Sequence, residues 1–255
     1  MIKKDIIAVI PARLNSLRLP GKLLLKVKKI TILEHVINRL ILSGVFSKII
    51  IASPDYKIKK TVKKYKNVLF FKSKKKHFSG TSRSLEAIKN IRFSKAVVLF
   101  ADEPLILPSE IKFFVDKMNQ DLHSNIWNAT VKITNDREFQ DKSIVKCILD
   151  KNSNIINLTR LCRLEHLSNK LKKKIVKSVG LIAFSSNVIK KIASLKKNNH
   201  ERIEQLNFIN EKKLSLKSII LKHNFFSINN PNDFNKMKKT FILNHIQKKI
   251  LKMYA

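Results

Sequence analysis

The strongest constraint on the fold is the segment from Asp5 to Lys22, which reads DIIAVIPARLNSLRLPGK. Its apolar run, Ile6–Ile10, has the length of a fully buried strand in a parallel sheet. Pro11 cannot donate a ladder hydrogen bond and marks the end of that strand. A loop at the carboxyl end of such a strand is where open α/β sheets bind ligands.

The loop itself carries three cations, Arg13, Arg18 and Lys22, with Gly21 immediately before the lysine. Guanidinium forks and an ammonium group neutralise charge that is spread over several oxygens, so this loop suits a polyphosphate. On charge alone, the loop could also be an ordinary surface segment of a chain that is basic throughout. The spacing of the three cations is more specific than their charge.

The chain has 255 residues, a formal net charge of +35 and 44% hydrophobic residues, which predicts one α/β domain or a domain with a small appendage. The charge suggests a nucleic-acid partner. However, only nine of the 53 basic residues are arginine, the residue that reads base edges bidentately. We interpret the lysine excess as a coding bias of an AT-rich gene. A nucleic-acid-binding protein stays open as an alternative, and it predicts binding that survives physiological salt.

The first half alternates strand and helix patterns, as a doubly wound sheet requires. Strands are predicted at Lys48–Ala52, Val68–Phe71 and Ala96–Ala101, and helices at Ile32–Leu42 (ended by Gly44), Asp55–Tyr65 (capped by Asp55), Ser79–Ile91 and Ser109–Gln120. Ser79, Gly80 and Thr81 at a helix start offer hydroxyls and free N–H groups to an anion or a base edge, or simply form a good cap. Asp102 and Glu103 follow a strand, where a carboxylate can hold Mg²⁺ or cap the next helix.

The second half is predicted to be richer in strands. They lie at Ile126–Ile133, Ser143–Leu149, Asn154–Arg160, Lys177–Phe184 and Lys217–Leu221, with a solvated loop at Asn169–Lys174. Apolar residues at helical spacing in Asn235–Ala255 predict a basic amphipathic helix that packs on the domain or a second copy, or else binds a membrane surface. Cys147 and Cys162 are predicted to be buried thiols. No secretory signal or membrane span is recognisable, so we expect a cytoplasmic protein.

Several motifs resemble one family. The first loop (Pro11, Ala12, Arg13, Ser16 and Arg18-Leu19-Pro20-Gly21-Lys22) is similar to the N-terminal signature of 3-deoxy-manno-octulosonate cytidylyltransferases, the CMP-Kdo synthetases. Further matches, in the family's order, are His77, Ser79, Gly80, Thr81, Arg83, Asp102-Glu103-Pro104, Pro231 and Asp233. The resemblance runs from about Ile6 to Met237.

The resemblance implies a Rossmann-like, doubly wound mixed sheet of the nucleotidyltransferase type with a smaller β-rich second half. Residues 1–237 would form the cytidylyltransferase domain, with a nucleotide part to about 125 and a sugar and dimerisation part from 126. Residues 238–255 would be a C-terminal helix. The implied enzyme is a Mg²⁺-dependent homodimer that transfers CMP from CTP to Kdo or a Kdo-like sugar acid for surface-polysaccharide synthesis, with release of pyrophosphate.

The resemblance also assigns roles to residues. It implies catalytic roles for Arg18 and Lys22, and Mg²⁺ ligation by Asp102 and Asn229. The nucleotide would be bound by Pro11, Ala12, Arg13, Lys74, Ser79, Gly80, Thr81 and Arg83. The sugar acid would be bound by Arg160, Glu204 and Asn207.

This chain departs from the family pattern at several of these positions. Phe100 replaces a glutamine, Asn229 an aspartate and Lys74 an arginine, while Ile182 and Phe184 replace tyrosines. The family helix aligned with His200–Asn210 can be matched in two registers, with its Glu-Gln pair at Asn207-Phe208 or at Glu204-Gln205. A cytidylyltransferase for another sugar acid, such as a sialic-acid-like sugar, and a nucleotide-binding relative without activity therefore remain alternatives.

Overall fold

The apolar run near the N-terminus forms the buried strand β1 (Ile6–Pro11) in the computed structural model, which describes residues 5–74, 76–162, 168–195, 203–211 and 213–254. The elements that follow are β2 (Lys26–Val27), β3 (Ile30–Thr31), α1 (Ile32–Ser43), β4 (Lys48–Ser53), α2 (Tyr56–Val62), β5 (Val68–Lys72), α3 (Gly80–Ile88), β6 (Lys95–Leu99) and α4 (Pro108–Gln120). The predicted alternation of strands and helices is present.

The strands β6, β1, β4 and β5 lie side by side in that order, all parallel. The chain runs from β1 outward to β4 and β5, and then returns to place β6 on the other side of β1. The order therefore reverses between β1 and β6. The carboxyl ends of these two strands form the topological switch point, where open α/β sheets bind ligands.

Local signals explain where the helices begin and end. A capping box between Thr31 and Glu34 starts α1, and Gly44 ends it at a φ of 67°, a conformation that favours glycine. The prediction for Asp55 is wrong in two respects: α2 ends at Val62, and the Asp55 side chain does not cap it. Asp55 Oδ2 instead accepts a hydrogen bond from the Leu14 N–H at 2.8 Å.

The chain divides into two compact units, Met1–Lys112 with Phe225–Ala255, and Phe113–Asn224. The second unit contains β7 (Ile126–Lys132), α5 (Asp136–Gln140), β8 (Lys146–Leu149), β9 (Ile155–Thr159), α6 (Asn169–Lys172), β10 (Ile175–Ser185), α7 (Ile189–Ser194), α8 (Leu206–Ile209) and β11 (Leu216–Ile220). Here β11 runs parallel to β7, whereas β10 is antiparallel to both β7 and β8, and β8 is antiparallel to β9.

Three details of the second half correct the sequence predictions. The segment predicted as a loop at Asn169–Lys174 contains the short helix α6. The helix predicted at His200–Asn210 is reduced, among the described residues, to α8, and residues 200–202 lie outside them. Cys147 is buried as predicted, but Cys162 is only half-buried; both thiols are free.

The C-terminal segment forms two helices, α9 (Pro231–Leu243) and α10 (His245–Lys252), where the sequence predicted one. Asn244 is extended and its side chain caps α10, so the chain turns there. Gln247 of α10 is buried in the first unit, where it accepts from Arg39 Nη2 at 2.6 Å and donates to the Leu105 carbonyl at 2.7 Å. The segment thus packs on its own unit. Among the described residues, no helix is long and apolar enough to span a bilayer.

Candidate active site

A cavity of about 600 Å³ opens at the carboxyl ends of β1 and β6, within the first unit. Nine of the residues predicted for nucleotide, catalysis or metal line it: Pro11, Arg13, Arg18, Lys22, Ser79, Gly80, Arg83, Asp102 and Asn229. They come from four separate stretches of the chain. The fold therefore gathers at the switch point the residues that the motifs singled out.

Two cations of the first loop are paired with the two predicted metal ligands. Lys22 Nζ lies 2.8 Å from Asp102 Oδ2 and also donates to the carbonyl of Ile228 at 2.9 Å. Arg18 Nη2 donates to Asn229 Oδ1, again at 2.9 Å. The cavity thus holds alternating positive and oxygen-bearing groups, which suits a phosphate chain together with a metal ion.

Glu103, the acid beside Asp102, has a different environment. It is buried, and its Oε1 accepts a 2.6 Å hydrogen bond from the hydroxyl of Ser227. The backbone N–H of Ile228 donates to the carbonyl of Asp102 at 2.9 Å. These contacts fix the stretch that carries Asn229 against the end of β6, so the two acids have separate roles: Asp102 faces the cavity and Glu103 supports it.

The first loop is shaped by its own backbone and by Asp55. The carbonyl of Leu14 accepts hydrogen bonds from the N–H groups of Ser16 (2.9 Å) and Gly21 (3.1 Å), while the N–H of Leu14 donates to Asp55. Gly21 adopts a φ of 66° and starts the 3-10 turn Lys22–Leu24. Sequence reasoning missed the role of Asp55, for which the available signal is its position just beyond the carboxyl end of β4.

The start of α3 forms another wall of the cavity. The Ser79 side chain caps the helix by accepting from the Ser82 N–H at 3.1 Å. Gly80 lies so close to Phe100 that a Cβ there would be 2.4 Å from Phe100 Cε1. A glycine is thus required by space at this position, and the aromatic ring at position 100 packs directly on the turn.

His77 lines the cavity beside this turn and was not assigned a role. Its Nε2 lies 2.7 Å from Glu86 Oε2, which also accepts from the Ser73 hydroxyl at 2.6 Å. Burial raises the pKa of Glu86, but the hydrogen bonds from Ser73 and His77 outweigh it and hold that pKa below its usual value. Glu86 is therefore a carboxylate at neutral pH and fixes the His77 ring.

Three predicted nucleotide residues do not line the cavity. Ala12 is buried, with its N–H bonded to the Ala52 carbonyl at 2.9 Å, and Thr81 is buried inside α3. Lys74 is exposed and is not among the residues around the cavity. Contact with the nucleotide at these three positions stays a prediction.

The predicted sugar-binding residues Arg160, Glu204 and Asn207 belong to the second unit. Arg160 Nη1 donates to the backbone carbonyls of Ser143 (3.0 Å) and Lys142 (3.3 Å). Glu204 and Asn207 lie in one turn, because the Asn207 N–H donates to the Glu204 carbonyl at 3.1 Å. Their contact with a sugar acid stays a prediction.

The donor set at Asp102 and Asn229 can be tested against a magnesium ion. Carboxylate and amide oxygens suit Mg²⁺, which is usually bound by one or two carboxylates together with substrate phosphates. Within the described ranges, no group of three or more His, Cys, Asp or Glu side chains could hold a metal ion by itself. The residues present therefore fit an ion that shares its coordination with phosphates, and not a metal site built from protein alone.

Comparisons with known proteins agree with this geometry. Residues 7–229 match the family described as cytidylyltransferase. The 3-deoxy-manno-octulosonate cytidylyltransferase of Thermodesulfovibrio yellowstonii is 29% identical over 91% of this chain and 96% of its own length. The Escherichia coli protein of that name is 25% identical over 78% of this chain and 80% of its own length.

Solved structures show the same fold. A CMP:2-keto-3-deoxy-manno-octonic acid synthetase complexed with CTP superimposes with a TM-score of 0.84 at 22% identity, over 94% of this chain and 99% of that one. A 4-diphosphocytidyl-2C-methyl-D-erythritol synthase from Anaerococcus prevotii gives 0.64 at 14% identity, with the same coverage. The predicted fold class and the resemblance are thereby confirmed. With the family match spanning most of its length, this chain belongs to the cytidylyltransferase family.

Proposed function

We propose that this protein transfers CMP from CTP to the anomeric hydroxyl of a 3-deoxy sugar acid of the Kdo type and releases pyrophosphate. The observation that carries the proposal is the cavity at the switch point, in which Arg18 and Lys22 meet Asn229 and Asp102. The names of the similar proteins, two of them 3-deoxy-manno-octulosonate cytidylyltransferases, support the choice of substrate class.

The residues of the cavity would act by position and charge. Attack of the sugar hydroxyl on the α-phosphorus breaks the bond to the pyrophosphate group and needs no covalent enzyme intermediate. Arg18 and Lys22 would stabilise the negative charge that develops on the phosphate oxygens, because preorganised cations in a partly closed cavity lower the barrier of such a step.

Magnesium fits the proposal. Asp102 and Asn229 would hold the ion, which when bound supplies positive charge to the phosphates. Since Asn229 is neutral, the ion would depend more strongly on the phosphates than at a site with two carboxylates. The proposal also includes the homodimer and the surface-polysaccharide role that the resemblance implies.

The test is pyrophosphate release from CTP and Mg²⁺ with Kdo, its 8-amino analogue and N-acetylneuraminate as acceptors, and with UTP and ATP as nucleotide controls. We expect release with CTP and one or more sugar acids, and none from Arg18→Ala. The matched control is Arg92→Ala, because Arg92 is an exposed arginine that does not line the cavity. Binding of CTP without release for any acceptor would overturn the proposal in favour of a nucleotide-binding protein without activity.

A further inference from the structure

Arg83 is a buried cation that faces the cavity without a partner. The residue is 6% exposed, yet it lines the cavity. Among the described residues, its Nε has no hydrogen-bond partner. A buried charge without hydrogen bonds is costly, so an arginine in this state indicates a missing acceptor.

A second arginine increases the cost. Burial, and then the charge of Arg13, lower the pKa of Arg83, while Asp55 and Glu86 act in the opposite direction. Both acids are engaged elsewhere: Asp55 Oδ2 accepts from the Leu14 N–H, and Glu86 Oε2 accepts from Ser73 and contacts His77. Arg13 and Arg83 thus form a positive pair that the neighbouring carboxylates do not bind directly.

The first turn of α3 points to the same region. Ser79 and Gly80, which start this nine-residue helix, line the cavity together with Arg83. The first N–H groups of a helix have no partner within it, and its dipole favours a negative group. The helix start, the buried guanidinium and Arg13 all offer donors and positive charge, so the ligand they suit is an acceptor-rich anion.

We propose that Arg13, Arg83 and the first turn of α3 form an oxyanion subsite for the terminal phosphates of the nucleotide, separate from the Lys22–Asp102 pair. The assignment of the anion to the nucleotide rests on the proposed function. A neutral base edge would satisfy the donors, but only a negative group also relieves the repulsion between two guanidinium groups. Lys22 and Arg18 already have partners, whereas Arg83 gains its hydrogen bonds only when the subsite is filled.

The test is calorimetric titration with inorganic pyrophosphate at 0.15 M salt, which suppresses non-specific binding to a chain of net charge +35. We expect Arg83→Gln to weaken binding at least tenfold, as the loss of a charge-assisted hydrogen bond predicts. Arg92→Gln, which removes the same charge from an exposed position, should bind like the wild type. Equal affinities for the two variants would overturn the proposal.

Two further measurements keep the result interpretable. Thermal melting of each variant checks folding, and Arg13→Gln, at an exposed position, should weaken pyrophosphate binding without affecting the fold. Acetate serves as a carboxylate probe: it should not displace pyrophosphate. Displacement by acetate that depends on Arg83 would overturn the phosphate assignment and indicate the carboxylate of the acceptor instead.

The outcome is separable from that of the proposed function. If Arg83→Gln loses pyrophosphate affinity but the wild type releases none from CTP with any acceptor, the subsite stands and the proposed reaction fails. If the wild type turns over and Arg83→Gln binds pyrophosphate normally, the reaction stands and the subsite fails.

Discussion

Lys22 and Asp102, which are 80 positions apart in the chain, form a salt bridge of 2.8 Å at the mouth of β6. Arg18 and Asn229 form the parallel pair at 2.9 Å. In the proposed reaction both pairs would exchange partners, because phosphate oxygens compete for the cations while a metal ion competes for the oxygens. The strength of the protein's own pairs then sets part of the affinity for the nucleotide.

The exchange can be tested by reversing the salt bridge. We expect Lys22→Ala to reduce pyrophosphate release on the order of 10²-fold. The double variant Lys22→Asp/Asp102→Lys should retain the ion pair, and its melting temperature should lie close to that of the wild type, because a partly exposed pair contributes about 1 kcal/mol or less. Its activity should nevertheless stay as low as that of Lys22→Ala. Recovered turnover in the double variant would show that the pair is structural.

The neutral ligand at position 229 leads to a prediction about magnesium. Asn229→Asp should lower the Mg²⁺ concentration for half-maximal activity on the order of tenfold, since the charge of the ligands tunes affinity. The matched control is Asn230→Asp, because Asn230 caps α9 and aspartate caps equally well. A Mg²⁺ titration of steady-state rates decides. The same half-maximal concentration in both variants would contradict a role of residue 229 at the metal.

The contact between Gly80 and Phe100 predicts a steric effect. Gly80→Ala places a Cβ within 2.4 Å of the Phe100 ring and should reduce the free energy of unfolding by about 1–3 kcal/mol, with weaker CTP binding. Phe100→Leu in the same chain should restore part of both, because it removes the atoms that clash. Urea denaturation and CTP titration of the two single variants and the double variant measure this. Additive losses would rule out the clash as their cause.

His35 in α1 predicts a pH dependence of stability. Burial and the charge of Arg39 lower the pKa of His35 to about 4, from 6.5. In that range the unfolded chain binds the additional proton, so the free energy of unfolding should be highest above pH 6.5 and fall by about 3 kcal/mol towards pH 4. Urea denaturation at several pH values should show this slope, and His35→Asn should flatten it. The exposed His123→Asn is the control, which should leave the slope unchanged.

Arg39 and Gln247 should be strongly coupled. Arg39 is fully buried and also donates to the Ile106 carbonyl at 2.9 Å; burial lowers its pKa to about 10, so it stays charged at neutral pH. Gln247→Leu should cost about 3 kcal/mol, because it takes an acceptor from a buried cation. Arg39→Met/Gln247→Leu should be less destabilised than the sum of the two single variants by about 1–3 kcal/mol. A coupling near zero would contradict this interpretation.

The sequence predicted those features whose cause is local. The run of buried residues in β1, the glycine after α1 and the Ser79 cap are each encoded within a few neighbouring residues, and all appear where expected. The use of Asp55 could not be predicted, since its donor is the Leu14 N–H, 41 positions away. The burial of Arg83 likewise depends on the packing around α3 and not on its own motif. In the C-terminal segment, the apolar spacing predicted the helices, but the break at Asn244 was overlooked.

The contacts of α1 with the C-terminal segment also determine the order in which the protein can be assembled during translation. His35 and Arg39 find their partners at Tyr254 and Gln247, whereas the unit Phe113–Asn224 is continuous in sequence. On the ribosome, the later-made unit can therefore finish folding before the earlier-made one, whose first helix has to wait for residues more than two hundred positions downstream. Until then the buried charge on α1 is a liability of the nascent chain and a potential binding site for chaperones.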